Sequence, residues 1–490
     1  MDFREYLKTN IVYLDGGMGT MLQAHGLTTG ELPERWNISH PDVIQQVHKA
    51  YYDAGSHVVS TNTFGANTFK YGDDELAQIV KAAVDNADAA RKAASADKPR
   101  FVALDIGPTG KLLEPFGDVS FENAVAVFAK TVKLGVQYGV DLIIIETMSD
   151  SLETKAAVVA AKENSDLPIL VSNAYAQGGR LMMGATPAAM VTMLEGLGVD
   201  GVGANCSFGP KQLAGVADEL LKYASVPVFL KPNAGLPQMI DGKVSYDVDA
   251  DEFAADVAAL VQKGLGAVGG CCGTTPAYIA ALVDRTSDLT ANAVTDKQQT
   301  VVSTGGGTLI LSGDTVVVGN RLIAADNAEF AAALADEDMD YVTDEAMDQQ
   351  DEDAEILAVD VAADGVDEVA ALKNTVCALQ SMVRLPLLLC AHSPAALEAA
   401  LRHYNGKALV GNIDGTAARM ADVFPLVKKY GGVAVVTVKD IDEATVVLET
   451  AQSYGIAKKD IVFDALTADA QAEIAQAFAC QTTAQFERLE

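Results

Sequence analysis

Two adjacent cysteines, Cys271 and Cys272, stand in the stretch Gly-Gly-Cys-Cys-Gly-Thr-Thr-Pro that runs from Gly269 to Pro276, directly after a short apolar run. A third, Cys206, follows a similar run in Asn-Cys-Ser-Phe-Gly-Pro. Neighbouring cysteines meet disulfide geometry across a trans peptide only with strain, so a metal is the leading reading of the pair, and zinc the leading metal. Three thiolates leave the fourth tetrahedral position of zinc for water or a substrate, whereas a closed structural site uses four protein ligands. No CxxC pair and no HExxH run occurs, which removes the zinc-finger and zincin patterns. Three sulfur anions already neutralise the metal and make it a poor Lewis acid for hydrolysis. They leave it able to hold a fourth thiol deprotonated at neutral pH. A positioned thiolate attacks an electrophilic methyl group, so the chemistry points to thiol S-methylation. The plainer reading of Cys271-Cys272 is a pair of small buried residues at a glycine-rich turn.

For three cysteines to meet, the elements that carry them must end on one face. From Ile11 onward the chain repeats a short β-rich run, a polar loop and an Ala-rich helical stretch, the pattern of parallel βα architecture. The runs are Val12–Leu14, His57–Thr61, Phe101–Leu104, Leu142–Ile145, Ile169–Ser172, Gly201–Ala204, Val228–Leu230 and Ala267–Gly269. Eight such units predict a (β/α)8 TIM barrel over residues 1–290, with its chemistry at the carboxyl ends of the strands. The residues just past those ends are Asp15, Asn62, Asp105, Glu146, Asn173, Cys206, Asn233 and Cys271 with Cys272, all polar or thiol. Asn62, Asp105 and Asn173 read equally as cavity-lining or as loop and capping residues.

Residues 291–310, which include Gly305-Gly306-Gly307, read as a linker. The alternation then resumes over residues 311–490 with six strand candidates, while Thr467–Glu490 reads as helix. The expectation is a second, incomplete TIM-barrel-like α/β domain; whether a partner chain or a homo-oligomer completes it is left open by the sequence. With 490 residues and a hydrophobic fraction of 49%, two domains are expected. The six cysteines are too sparse for a disulfide scaffold. A formal net charge of −32 argues against a nucleic-acid partner, since phosphate binding needs Lys and Arg. The N-terminus lacks a signal-peptide pattern and no apolar run is long enough for a membrane span, so a cytoplasmic location is expected. From Leu322 to Leu372 there is no Lys or Arg, which reads as a solvated acidic surface or a docking face for a basic partner.

The first 290 residues resemble the homocysteine S-methyltransferase domain family. The resemblance rests on Asp15-Gly16-Gly17-Met18-Gly19-Thr20, Thr61-Asn62-Thr63-Phe64, Glu146-Thr147, Asn205-Cys206 and Gly269-Gly270-Cys271-Cys272-Gly273. It implies that Cys206, Cys271 and Cys272 bind one zinc ion and carry the catalysis. It also implies that Asp15 and Glu146 hold the ammonium of homocysteine, and that methionine is the product. Asn62 and Asn173 are further substrate-binding candidates from their strand-end positions. Residues 311–490 resemble the methyltetrahydrofolate-binding barrel that follows this domain in cobalamin-dependent methionine synthases, on Leu397–Lys407, Leu426–Gly432 and Tyr454-Gly455-Ile456. They depart from it at its pterin-binding positions, where Ala358-Val359-Asp360, Leu389-Cys390-Ala391, Gly411-Asn412 and Val438-Lys439-Asp440 stand, so folate binding is not expected. None of the six histidines lies in the Asp-x-His-x-x-Gly context of a cobalamin module, so the resemblance implies methylcobalamin on a separate corrinoid protein as donor. S-methylmethionine, S-adenosylmethionine or betaine as donor, another thiol as acceptor, and a non-catalytic assembly subunit of a split methionine synthase are the alternatives.

Overall fold

The computed structural model describes residues 2–95, 98–240 and 243–489. It divides into two compact units, Met1–Pro187 with Val199–Asp296, and Ala188–Gly198 with Lys297–Glu490.

The first unit is an eight-stranded parallel barrel. Its strands are β1 (Val12–Tyr13), β2 (Val58–Ser60), β3 (Phe101–Ile106), β4 (Leu142–Met148), β5 (Ile169–Asn173), β6 (Gly201–Asn205) and β7 (Val228–Lys231). A hairpin of β8 (Pro237–Ile240) and β9 (Lys243–Tyr246) intervenes before β10 (Ala267–Val268), which pairs with both β7 and β1. The seam between β1 and β2 is bridged by the His57 N–H donating to the Tyr13 carbonyl at 2.7 Å. Every expected strand is present. Val12, Leu14, Val58, Ala103, Ile144, Leu170 and Phe229 fill the interior, and Phe3 and Leu7 of the helix Phe3–Thr9 pack into the same cluster. That apolar plug closes the amino-terminal end, which leaves the carboxyl end of the strands for polar groups.

The second unit carries β11 (Thr300–Ser303) and β12 (Thr308–Leu311), then six parallel strands: β13 (Val316–Ile323), β14 (Ile356–Asp360), β15 (Leu387–Cys390), β16 (Leu409–Ile413), β17 (Val433–Val438) and β18 (Ile461–Ala465). Two sequence expectations change here. Residues 300–310 are not linker: β11 and β12 form an antiparallel hairpin, and Val302 and Leu311 pack against Val316, Ile356, Leu409 and Val433 at the base of the sheet. The glycine triplet is the hairpin's connection, so its flexibility serves a turn rather than an interdomain tether.

The second change concerns the chain's last residues. The helix ends at Phe478, with Ala479 in the left-handed region at φ 47°, and two short strands follow, β19 (Gln481–Thr482) and β20 (Phe486–Arg488). β19 pairs with β18 and β20 pairs with β13, both parallel. One segment therefore occupies both edges of the sheet, and the second barrel is incomplete, as expected: six long parallel strands with a short strand on each edge. Within the chain, β19 and β20 cover the edges of β18 and β13.

The acidic stretch also has internal employment. Asp338 and Asp367 accept from backbone N–H groups at the starts of the helices Met339–Asp351 and Glu368–Met382, and Glu345 and Glu352 flank Arg321 at 2.7 and 3.0 Å. Among the described residues, no helix is long and apolar enough to cross a membrane.

Candidate metal and substrate site

Cys206 follows β6, and Cys271 and Cys272 follow β10. Their sulfur atoms lie within 4.8 Å of one another. Zinc bonded at about 2.3 Å to tetrahedral sulfurs sets them roughly 3.8 Å apart, so three sulfurs fit without large backbone movement. Backbone hydrogen bonds stitch the carboxyl ends of β6, β7, β10 and β1 together. The Cys206 N–H donates to the Lys231 carbonyl at 3.1 Å, Cys271 N–H to the Pro232 carbonyl at 2.8 Å, and Gly270 N–H to the Asp15 carbonyl at 2.9 Å. Asn233 accepts the Cys272 N–H on its side-chain oxygen at 3.0 Å. Cys206 and Ser207 sit at φ 60° and 59°, a left-handed conformation that costs non-glycine residues energy and that marks positions over-determined by their surroundings. Gly273, at φ 80°, has a second constraint: a Cβ there would fall 2.3 Å from the Tyr246 ring.

Without a cation the three thiols share charge unevenly. Hydrogen bonds from Cys271 and Cys272 push the Cys206 thiol down, while Cys271 and Cys272 are pushed up chiefly by their bonds to Cys206. One thiolate forms readily and the next are opposed by its charge. A dication supplies the missing compensation, so the donor set fits zinc.

The sulfurs form one side of a cavity of about 390 Å³. Four carboxylates also line it, Asp15, Glu34, Asp105 and Glu146, with Lys231 as the basic residue among them. Lys231 is the residue the sequence reading missed. It is the last residue of β7, only 2% exposed, and it lies 2.7 Å from Glu146 and 3.3 Å from Asp15. Its ammonium is pushed well up: burial opposes the charge, and Glu146 and Asp15 outweigh that opposition. The available signal was a lysine ending the apolar run Val228–Leu230, where an unpaired charge would be expensive.

Asp15 is committed on both oxygens, accepting from the Ser60 N–H at 2.7 Å and the Ser60 hydroxyl at 3.4 Å beside its contact with Lys231. Asn62 lines the cavity, and its amide donates to the Pro33 carbonyl at 2.8 Å. Asn173 is buried but is not among the cavity-lining residues; its amide donates to the Met148 carbonyl and the Thr154 hydroxyl at 3.2 and 3.1 Å. Asn205, fully buried, joins the two halves of the site. It accepts from the Thr147 N–H and the Ser172 hydroxyl at 2.8 Å each, and donates to the Thr147 hydroxyl at 2.7 Å and the Cys271 sulfur at 3.9 Å. His57 is no ligand: it sits in the barrel wall, accepting the Tyr13 N–H on Nδ1 at 3.2 Å and meeting the Tyr6 hydroxyl at 3.1 Å.

A family model described as homocysteine S-methyltransferase matches residues 12–286. The methionine synthases of Mycobacterium tuberculosis (strain ATCC 25618 / H37Rv) and Mycobacterium leprae (strain TN) are 30% and 29% identical to this chain over 504 and 507 residues. Each alignment takes in 95% of this chain and 42% of the relative, so the chain spans about two fifths of their length. Among solved structures, the metallated form of the homocysteine methyltransferase MmuM from Escherichia coli shares the barrel fold. It is 24% identical, with a TM-score of 0.50, covering 57% of this chain and 97% of that one.

Proposed function

Because the chain belongs to the homocysteine S-methyltransferase family, we propose that it methylates the sulfur of homocysteine to give methionine, with Cys206, Cys271 and Cys272 holding a zinc ion. The observation that carries this reading is the convergence of the three sulfurs in a cavity that is also lined by four carboxylates. When bound, zinc supplies the charge that keeps a substrate thiol deprotonated. The protein's residues do the rest. The cysteines fix where the substrate sulfur sits, the carboxylates take the cationic end of an amino acid, and Asn205 holds the Glu146–Thr147 turn at a set distance from Cys271. Holding the attacking sulfur in line with the donor methyl converts a bimolecular encounter into a positioned one.

The donor that the reading favours is methylcobalamin carried on a corrinoid protein, since both methionine synthases align with 95% of this chain. The second unit is read as a scaffold that does not bind methyltetrahydrofolate. At its folate-like positions Asp360 accepts the Ala362 N–H, Asp440 is spent as the cap of the helix Ile441–Ser453, and burial pushes the Cys390 thiol up to about 12. What remains is a cavity of about 430 Å³ whose walls include Cys390, Asn412, Thr437 and Asp464.

The test is to measure bound zinc, then methionine formation from homocysteine with methylcobalamin, S-methylmethionine, S-adenosylmethionine and betaine in turn. Turnover with one donor supports the enzyme. Stoichiometric zinc with no turnover on any of them favours the assembly-subunit reading.

A further inference from the structure

Each of the three sulfurs has a polar partner of its own. The Asn205 amide reaches Cys271 at 3.9 Å, and Cys206 takes hydrogen bonds from the Asn233 side chain and the Ser207 backbone. Asn205 ends β6 and Asn233 follows β7, so both come from the barrel itself. The partner of Cys272 does not. It is the hydroxyl of Tyr246, which donates to the Cys272 sulfur from the last residue of β9, in the hairpin inserted after β7.

Several contacts hold that tyrosine in place. Tyr246 pairs with Pro237 across the hairpin. Two residues further on, the Val248 N–H donates to the Ala234 carbonyl at 3.0 Å, and the Ala234 N–H donates to the Cys272 carbonyl at 2.9 Å, so the end of the hairpin and the cysteine are joined through one residue. The Val248 carbonyl also accepts the Tyr278 hydroxyl at 2.7 Å. The Tyr246 ring lies against Gly273, where a Cβ would fall 2.3 Å from it, so glycine at this position lets the ring approach the peptide that follows Cys272. A hydrogen bond donated to a thiolate holds part of its charge on the sulfur and away from a bound cation. The geometry points to Tyr246 as a positioning residue of the metal site: its hydroxyl fixes the Cys272 sulfur and draws charge from it, which leaves more of the cation's charge for the substrate sulfur. The hairpin thus takes part in the site although it is no part of the barrel wall.

The inference rests on the reading of the three cysteines as a zinc site. Its test loads the full chain with cobalt(II) in place of zinc, because thiolate ligation gives cobalt a sulfur-to-metal charge-transfer band while the d–d bands report the ligand set and its geometry. Tyr246→Phe keeps the ring against Gly273 and removes the hydroxyl. The charge-transfer band should move to longer wavelength, the d–d bands should stay, and homocysteine affinity by calorimetric titration should fall at least about threefold. Tyr278→Phe, which releases the Val248 carbonyl without touching a sulfur, should change none of these. An unmoved charge-transfer band or an unchanged homocysteine affinity in Tyr246→Phe overturns the assignment. So does an equal shift in Tyr278→Phe, which would make it an effect of where the hairpin sits. Altered d–d bands in Tyr246→Phe would make the phenol oxygen a ligand, and loss of cobalt uptake would mean that the hydroxyl builds the site; either overturns the tuning role. If the wild-type chain shows no charge-transfer band with cobalt, the three-cysteine metal reading itself fails. If it shows the band but binds no homocysteine, the substrate reading fails and the band shift still decides Tyr246.

Discussion

At the scale of single residues, the site is an arrangement of compensated charges, and its weak points are the residues that compensate. Cys272 is one of the three sulfurs proposed to hold zinc; Cys272→Ala leaves two, and bound zinc measured by elemental analysis should fall from near one per chain to background. Activity that survived this loss would mean the metal sits elsewhere. Lys231 compensates two buried carboxylates at once. Lys231→Met removes the cation and strands the buried carboxylates of Asp15 and Glu146, so denaturant unfolding should show a loss of about 3–5 kcal/mol, the usual cost of breaking a buried ion pair by removing one partner. A change below about 1 kcal/mol, within the range of an exposed pair, would mean the carboxylates are solvated in the folded protein.

At the scale of elements, strand ends and barrel walls carry different burdens. His48, in the helix Pro41–Ala54, and His57, ahead of β2, are buried and neutral, both pushed down to about 4 by loss of solvent. Free histidine titrates near 6.5, so between about 6.5 and 4 the unfolded chain binds protons that the folded one refuses. The first unit should therefore keep this stability above pH 6.5 and lose it as pH falls towards 4, by up to about 3 kcal/mol for each histidine. Unfolding followed over that range, with His48→Leu for comparison, checks it: the variant should show the shallower slope. The edge strands of the second unit make an equally specific claim. Removing residues 479–490 uncovers the edges of β13 and β18 together, and a truncated chain should self-associate by light scattering where the full one does not.

For the molecule as a whole, an eight-stranded α/β barrel and an incomplete one share a plan and differ in their chemistry. In the first, the strand ends hold sulfur and paired charge. In the second, the corresponding ends have been taken over by capping and burial, as at Asp440 and Cys390. Titration of the full chain with methyltetrahydrofolate should accordingly give no saturable binding in the micromolar range, and a clear micromolar isotherm would overturn the reading of the second unit as a scaffold.

The order of the strands, the barrel of the first unit and the meeting of Cys206 with Cys271 and Cys272 were all legible in the sequence. Parallel βα units write themselves as long runs with a repeating period, and a barrel gathers its strand ends by geometry alone. Three things came only with the tertiary structure. The two- and three-residue strands at 481–488 and the hairpin at 300–311 are too short or too glycine-rich to carry a period, and their pairing partners lie far along the chain. The removal of Asn173 from the cavity followed from where its amide found carbonyl and hydroxyl partners. And the pairing of Lys231 with Asp15 and Glu146 is a matter of a few ångströms between side chains from three different strands. Which acid is neutralised depends on distance, and distance across a barrel is not written in any local stretch of sequence.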